Sequence, residues 1–418
     1  MNSNWCNAGE LVNYSVGGGW GKEKIDNDYV CKVAVIRGAD FPSIDKGEYR
    51  GLPIRWEKLQ KATNASLQEG DIVIEISGGT ESRPTGRTIL ITKELLEAYD
   101  CPIIPASFCR LIRSKDTVNS VYFYYWLQEM YRAGRTWGYQ NRSTGLSNFQ
   151  YKTFCNMESV FIPEVDIQRK IASILLAFDK KRKVLTQLND YLTELLIARF
   201  NYWLENRNDC WGPFETAEIS SLDLCITDYV ANGSFASLKE NVELLNNQGY
   251  AYFMRNTDLK TREFNVYVTE HSYKFLSKTT LYGGEVIISN VGDVGSVHRC
   301  PSLNKPMTLG NNEIMIKGLI RGQFANNFLY LLFTSRYGQH LIDSVTGGSV
   351  QRKFNKTDFK SIKIPIPSTR GLTSFNNWVQ PIFDILEENF REIDQIKELR
   401  DVLLFKLISK EINNASTD

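Results

Sequence analysis

Two segments of the sequence combine basic, amide and aromatic side chains in the mixture that DNA-contacting loops need. Lysine and arginine bind phosphates, whereas arginine, asparagine and glutamine pair with base edges through two hydrogen bonds. We predict that both segments contact DNA, and a solvated loop remains the alternative for any single residue. The predicted contact residues are Arg132, Arg135, Trp137, Tyr139, Gln140, Asn141 and Arg142 in the first segment and Gly347, Gly348, Ser349, Gln351, Arg352, Lys353 and Lys356 in the second.

Arg37, Arg255 and Asn256 are further candidates for DNA contact. Arg37 and Arg255 each come directly after a short apolar run that predicts a strand, and an aspartate follows each arginine three residues later, at Asp40 and Asp258. A salt bridge inside the domain is therefore the alternative role of both arginines.

Residues that usually catalyse reactions or bind metals form no motif in this sequence. The histidines are His271, His298 and His340, and the eight cysteines are scattered without a Cys-x-x-Cys pair. We therefore predict no metal site and no catalytic residue. The cysteines are interpreted as buried free thiols in a reducing cytoplasm.

The glycine-rich and acidic segments also lack a catalytic motif. Segments 17–21 and 292–295 do not contain the Gly-Lys-Ser/Thr of a P-loop, so they are interpreted as turns. Asp71 and Glu75 share one predicted strand without a nuclease-type lysine nearby, and they are interpreted as strand-surface residues. No Asn-Pro-Pro-aromatic segment of the adenine methyltransferase kind is present, so methyl transfer by this chain is not expected.

The composition predicts a folded protein with more than one domain. The 418 residues exceed the size at which a single core stops growing, and 42% of them are hydrophobic. No apolar stretch is long enough to cross a bilayer, and residues 1–22 do not resemble a secretory signal, which favours the cytoplasm. Because the net charge is only +1, DNA binding would depend on locally concentrated lysine and arginine.

The two halves of the sequence repeat the same motifs in the same order. Four features recur at a spacing of roughly 200 residues. They are a strand-like run that ends in an arginine, a β-branched strand followed by a glycine loop, an aromatic or apolar helical segment that predicts core, and a Thr-Gly turn. Such a long period indicates domain duplication. The matched segments are 37–40 and 255–258, 67–79 and 281–293, 121–127 and 327–333, 144–147 and 346–349, and 160–163 and 362–365.

A long amphipathic helix is predicted after each repeat. The apolar residues recur at steps of three and four, which is typical of a helix–helix seam, and their placement favours pairing of the two helices over packing on their own domains. Lys181 and Asn389 are candidate polar seam residues that fix the register, and a tolerated position at the solvent edge of the helices is the alternative for each. The predicted seam residues are Ile171, Ile174, Phe178, Leu185, Leu188, Leu192 and Leu195 in the first helix and Ile382, Ile385, Ile396, Leu399 and Leu403 in the second.

These ordered motifs resemble the specificity subunits of type I restriction-modification systems over nearly the whole chain. The likeness depends on the entry to the first helix, 163–171, which continues as 174–179, and on the entry to the second, 360–367, preceded by 355–359. Segment 374–378 departs from the family, since a Gln-Arg-Ile-like start is usual there.

The resemblance implies a non-catalytic subunit whose two domains recognise the halves of an asymmetric, bipartite site on double-stranded DNA. The helices would set the gap between the halves. Implied partners are modification subunits, two of them, that transfer methyl groups from S-adenosylmethionine, and restriction or translocase subunits that use ATP and Mg. No cofactor is expected in this chain.

We therefore predict an α/β fold with two duplicated target-recognition domains separated by two long helices that form an antiparallel coiled coil. The predicted ranges are 1–163 and 207–367 for the domains, 164–206 and 368–412 for the helices, and 413–418 for a tail. Two alternatives remain open: a specificity subunit of a single-polypeptide restriction-methylase, and a coiled-coil scaffold protein that does not bind DNA.

Overall fold

The computed structural model describes residues 5–81, 83–143, 146–206, 211–348 and 351–414. The chain divides into two compact units, of which the first comprises 1–187 with 391–418 and the second comprises 188–390. The predicted contact residue Ser349 lies outside the described residues.

The first unit mixes short helices with small sheets. Its strands are β1 (Trp5–Asn7), β2 (Val12–Gly17), β3 (Tyr29–Ile36), β4 (Ile54–Lys58), β5 (Ile72–Glu75), β6 (Ser77–Gly79), β7 (Thr88–Leu90), β8 (Ile103–Pro105), β9 (Cys109–Ser114), β10 (Gln140–Ser143), β11 (Leu146–Phe149) and β12 (Ser159–Phe161). Its α-helices are α1 (Phe41–Lys46), α2 (Leu59–Ala65), α3 (Lys93–Glu97), α4 (Ser120–Arg132), α5 (Tyr151–Met157), the first part of α6 (Val165–Glu205) and the last part of α13 (Thr369–Asn414).

The second unit has the same mixture of elements. Its strands are β13 (Phe214–Glu218), β14 (Leu224–Asp228), β15 (Leu244–Leu245), β16 (Ala251–Met254), β17 (Tyr267–Val268), β18 (Thr280–Leu281), β19 (Val286–Ser289), β20 (Val297–Arg299), β21 (Met307–Leu309), β22 (Glu313–Ile320), β23 (Gln323–Phe324) and β24 (Lys363–Pro367). Its α-helices are the last part of α6, α7 (Phe235–Asn241), α8 (Asn256–Thr261), α9 (Glu270–Phe275), α10 (Asn326–Thr334), α11 (Arg336–Ser344), α12 (Lys356–Lys360) and the first part of α13.

The sheets of the two units have matching strand orders. The antiparallel order β2-β9-β5-β7 recurs as β14-β22-β19-β20, and the pair β1–β12 recurs as β13–β24. Strand β3 pairs antiparallel with β4 and parallel with β8, as β16 does with β17 and β21. The predicted α/β class and the domain duplication are therefore confirmed.

The aromatic segments that were predicted to be core form helices α4 and α10. Asn119 caps α4, since its side chain accepts a hydrogen bond from the Tyr122 backbone N–H at 2.9 Å. Phe123 and Trp126 of α4 are fully buried in the first unit, and Phe328 and Phe333 of α10 are fully buried in the second. Each unit thus has an apolar helix at the centre of its own core.

Strand β5 is covered on both faces, which corrects the interpretation of its acids. Ile72 and Ile74 belong to one apolar cluster, whereas Val73 belongs to another. Asp71 and Glu75 are consequently buried and not strand-surface residues. Alternation of side chains marks a solvent face only where one face of a sheet is open to water.

The buried acid at the start of β5 has a counterpart in the second unit. Asp71 accepts hydrogen bonds from Nε and Nη2 of Arg113, both at 2.7 Å. In the second unit Glu285 is buried and lies 3.7 Å from Nζ of Lys317. The duplication therefore preserves an internal ion pair although both residue types have changed.

Helices α6 and α13 pack against each other in antiparallel order within each unit. In the first unit Asp179 lies 3.4 Å from Arg400, and Lys181 is bonded to Glu392. In the second unit the rings of Trp203 and Phe375 stack at 5.3 Å. The side chain of Asn389 donates a hydrogen bond to Asn189 at 2.8 Å, and both side chains are buried. The predicted antiparallel pairing of the helices is confirmed.

The row of residues between the helices differs from the predicted seam at five positions. The predicted Ile171 and Ile396 are buried, and Phe178, Leu185, Leu192, Ile382 and Leu403 are half-buried. The prediction was wrong for five exposed residues, which are Ile174, Leu188, Leu195, Ile385 and Leu399.

The less exposed residue comes one position later in each of these five cases. Leu175, Leu196 and Leu386 are buried apolar residues, but Asn189 and Arg400 are polar. A search for apolar spacing passes over such polar positions and selects the neighbouring leucine or isoleucine. Among the described residues, no helix has both the length and the apolar character that a membrane span needs.

Candidate nucleic-acid interface

Three separate segments meet in the second unit. They are the β16–α8 junction with Asn256, the glycine loop 290–296 between β19 and β20, and the basic loop 345–355 between α11 and α12. The side chain of Asn256 donates to Asp293 of the glycine loop at 2.9 Å. The Gly292 backbone N–H donates to the Arg352 carbonyl at 3.2 Å, and Val291 pairs with Lys353. Contact candidates far apart in the sequence thus lie on one surface.

The basic loop closes on itself and leaves its charged side chains outside. Gly347 and Lys353 exchange two backbone hydrogen bonds of 2.9 Å, and Gly348 has a φ of +99°, which favours glycine. Gln351, Arg352 and Lys353 are exposed. Arg352 is bonded to Asp343, but both side chains of this pair are more than half exposed, so solvent screens the interaction.

Lys356 lies nearer the interior than the other predicted residues of the basic loop. Its Nζ donates to Asp228 at 3.0 Å, and the lysine side chain is 31% exposed. This ion pair joins α12 to the end of β14 within the second unit. The exposed charge available to a ligand is therefore mainly that of Arg352 and Lys353.

Arg255 and Arg37 form the internal salt bridge that was their alternative role. In both copies the backbone N–H, Nε and Nη2 of the arginine donate to the aspartate three residues later, at 2.6–3.2 Å in the second unit and 2.7–3.0 Å in the first. The partners Asp258 and Asp40 fix the turn that starts α8 and precedes α1. The arginine side chains remain about two-fifths exposed.

A hydrogen-bonded group surrounds Asn256, and the sequence did not single out its other members. Its carbonyl Oδ1 lies 2.8 Å from Nε2 of His298, and Asp293 also bonds Lys260 at 2.6 Å and Ser296 at 2.7 Å. Lys260, with help from Ser296 and Asn256, holds the pKa of Asp293 well below its ordinary value. Burial, followed by Lys260, lowers the pKa of His298 to about 4, so this imidazole is neutral at pH 7.

The first unit joins the equivalent segments with different residues. Strand β11 of the β10–β11 hairpin pairs with the glycine strand β6, so that Ser147 lies opposite Gly79. Gln140 accepts the Thr85 backbone N–H at 2.6 Å. Arg87 donates to the carbonyl of Gly38, the residue after Arg37, at 2.8 Å. A strand end, a glycine segment and a second loop therefore meet in both units.

Two arginines at this place in the first unit were missed from the sequence. Arg87 donates to both carboxylate oxygens of the buried Glu75, at 2.9 and 2.7 Å, and Arg83 donates to one of them at 3.1 Å. Two cations therefore share one anion, and Arg83 is 35% exposed. The segment 80–87 contains no aromatic or amide residue, so the composition that identified the other loops gave no signal here.

Most of the predicted contact residues in segment 132–142 are bonded inside the first unit. Arg132 donates twice to Glu129, at 2.7 and 2.8 Å. Arg135 is bonded to the buried Glu158 and lies over the ring of Trp126, and Tyr139 donates to Glu158 at 2.6 Å. Trp137 and Asn141 are exposed, and Arg142 is described through its backbone in β10. Trp137 and Asn141 therefore remain candidates for contact, and the prediction for Arg142 stays untested. Arg132 is exposed although it is paired with Glu129.

A separate apolar surface lies on α6 within the second unit. Leu188, Tyr191, Leu195 and Tyr202 are each at least 40% exposed, and their spacing of three, four and seven places them on one helix face. We call these four residues the α6 stripe. Exposed apolar rows of this kind are typical of protein contact surfaces.

The part of the chain that the structure describes contains no group of three or more His, Cys, Asp or Glu residues that could hold a metal. The polar groups described above make hydrogen bonds and charge pairs with one another. Such groups, presented on loops, suit recognition of a polyanion with patterned base edges.

Comparison with known proteins gives one family. Residues 13–194 and 226–404 each match the model described as the type I restriction modification DNA specificity domain. The Type I restriction enzyme MjaIX specificity subunit of Methanocaldococcus jannaschii is 23% identical over 420 residues, which cover 93% of this chain and 94% of that protein. The crystal structure of a Type-I restriction-modification system S subunit from M. genitalium has a similar fold, with a TM-score of 0.56, 14% identity, and coverage of 97% of this chain and 96% of that one.

Proposed function

The chain belongs to the type I restriction-modification DNA specificity family, and we propose that its two specificity domains recognise different halves of an asymmetric, bipartite DNA target. As a specificity subunit it is the non-catalytic member of a complex, and it directs where that complex acts. One observation carries the proposal: three segments meet in each unit. These segments belong to matching backbone elements in the two units but present different side chains.

The chemistry of the two surfaces supports different targets. In the second unit an asparagine, a histidine and the exposed Arg352 and Lys353 lie on joined loops. In the first unit the equivalent place has Arg83 and Arg87 with Glu75. Because base pairs differ in the donors and acceptors that they present in the major groove, surfaces with different donors and acceptors select different sequences.

We further propose that modification subunits, two of them, bind this chain and that the α6 stripe contributes to the contact in the second unit. These subunits would supply methyl transfer from S-adenosylmethionine, and restriction or translocase subunits would use ATP and Mg. The stripe offers leucine and tyrosine side chains, and tyrosine is enriched where protein surfaces associate. The complex would work on double-stranded DNA in the cytoplasm.

Mapping of methylated adenines tests the proposed target. Cells that express the full chain with the modification subunits of its own system should methylate a motif made of two unequal halves separated by unread bases. Cells with the same modification subunits but without this chain should lack that motif. A continuous or palindromic motif, or one that persists without the chain, would contradict the proposal.

A salt titration tests the assignment of the basic loop. In the double variant Arg352→Ala/Lys353→Ala the negative slope of log K against log salt should become shallower by roughly 2, because two phosphate contacts that each release about one counterion are lost. Lys274→Ala is the matched control, since Lys274 is an exposed lysine on α9 that pairs with Glu270. An unchanged slope in the double variant would show that Arg352 and Lys353 face the solvent and do not contact phosphates.

A further inference from the structure

The amide of Asn256 is held in one orientation by two neighbours. An ionised carboxylate only accepts hydrogen bonds, so the group that lies 2.9 Å from Asp293 Oδ2 must be the amide nitrogen. The amide oxygen therefore faces His298, at 2.8 Å, and Nε2 of the imidazole must carry the proton that it donates. Asn256 is thus fixed by an acceptor on one side and a donor on the other.

This arrangement leaves part of the amide available to a ligand. An asparagine side chain has two N–H donors and two acceptor lone pairs. Asp293 occupies one donor and His298 occupies one lone pair, so with respect to the described residues one donor and one acceptor of the amide remain. Asn256 is half-buried and is the first residue of α8. It lies beside the glycine loop, which is hydrogen-bonded to the backbone of Arg352.

We propose that Asn256 recognises an adenine in the half of the target that the second unit binds, and that His298 and Asp293 are positioning residues. Adenine offers an N6 amino donor beside the N7 acceptor, which is the complement of one free carbonyl lone pair and one free N–H. The inference rests on the proposed DNA-binding function and names the base that one surface selects. Fixing the amide in advance lowers the conformational entropy lost on binding.

The first unit does not have this group at the corresponding position. Gly38 stands there, and a Cβ on it would lie 2.6 Å from Oε1 of Glu75 and 3.2 Å from Nη2 of Arg87. The ion pair of Glu75 with Arg87 therefore fills the space that a side chain would need. Loss of the Asn256 amide should consequently affect one half of the target and leave the other half unchanged.

The test is a competition-binding experiment on randomised duplexes with the full chain assembled with its modification subunits. The parent should select both halves of a bipartite site, and Asn256→Ala should lose roughly 10- to 100-fold of its preference for adenine at one position in one half. Asn241→Ala is the matched control, because Asn241 is also hydrogen-bonded to a histidine of this unit, His271 at 3.3 Å, but is not bonded to the glycine loop.

A change in the DNA gives an independent reading that does not depend on the folding of a variant. Replacing the selected adenine by 7-deazaadenine removes the N7 acceptor, so it should weaken binding by the parent and have no further effect on Asn256→Ala. His298→Ala should reduce the same preference, whereas His298→Gln, which retains a donor, should restore most of it. Failure of the parent to select any sequence would contradict the proposed function. This inference would be overturned if Asn256→Ala selected the same sequences as the parent. It would also be overturned if 7-deazaadenine had no effect on binding by the parent at any adenine of the site.

Discussion

Glu313 should make the second unit less stable as the pH rises, and Glu313→Gln should remove that dependence. The side chain is 1% exposed, and neither carboxyl oxygen makes a hydrogen bond of normal geometry with the described residues. Burial raises the pKa of Glu313 from 4.5 to about 9, although the Asn256 backbone amide and Arg255 oppose the rise and Asp258 adds to it. The folded protein therefore retains a proton that the unfolded chain loses above pH 4.5.

The size of the effect follows from this difference in proton affinity. Between pH 4 and pH 7 the unfolded chain gives up its proton while the folded state keeps it, so the free energy of unfolding should fall by about 3 kcal/mol from this residue alone. Glutamine has the shape of the neutral acid and no proton to lose. The stability difference between Glu313→Gln and the parent should therefore grow by about 3 kcal/mol in favour of the variant over that range.

Urea unfolding at pH 4 and pH 7 measures the difference, with hydrogen exchange of peptides from β22 reporting the second unit. Glu285→Gln is the control, because Glu285 is equally buried but accepts the backbone N–H groups of Tyr282 and Gly283 at 3.0 and 2.8 Å. That variant should lose about 1–3 kcal/mol, since charge-assisted hydrogen bonds are weakened. A Glu313→Gln difference that is the same at both pH values would show that Glu313 is charged in the folded protein and refute the reasoning.

Other predictions concern the helices and the ion pairs. Asn389→Leu alone should lower the stability of the second unit by about 1–3 kcal/mol, because Asn189 loses its partner. Adding Asn189→Leu should recover most of the loss, and thermal unfolding of the two single variants and the double variant measures both effects. Arg135→Ala should destabilise the first unit by about 2 kcal/mol in urea, because a buried glutamate loses its cation. Leu188→Glu/Leu195→Glu should leave the circular dichroism spectrum unchanged and abolish co-purification of the modification subunit, whereas retained co-purification would remove the α6 stripe from that interface.

The duplicated architecture could be predicted from the sequence because it depends on features that recur along the chain. The Arg37 and Arg255 motifs come after matching strands, and in the structure both arginines make the same three bonds to the following aspartate. The long helices were also recognisable, because apolar spacing of three and four persists through substitution of individual residues. Repetition and periodicity are local properties of a sequence, and one copy supports the interpretation of the other.

The seam and the composition of the candidate sites could not be predicted in the same way. A seam row that includes Asn189 and Arg400 does not follow apolar periodicity, so the spacing pointed to residues one position away. Asp293, Lys260 and His298 are separated by up to 38 positions in sequence and meet only because β19, β20 and α8 bring their ends together. Partners of this kind depend on loop conformations, which residue types alone do not specify.

The strand pair at the centre of each main sheet shows how a conserved scaffold presents different chemistry. In the first unit Glu75 lies opposite Cys109, and in the second Ser289 lies opposite Glu313, so the carboxyl group has moved to the other strand of the pair. On β5 it binds two arginines, whereas on β22 its raised pKa leaves it neutral at pH 7.

A change of strand therefore alters both the charge and the direction from which hydrogen bonds are offered, without changing the register of the sheet. Arg83 and Arg87 need the anion on β5, and no equivalent anion stands on β19, where the residue is serine. The space beside Gly38 is filled by this ion pair, while the corresponding space holds the side chain of Asn256. Two domains built on one backbone plan can thus differ at the point where each is proposed to meet DNA, and a target with unequal halves is the expected consequence.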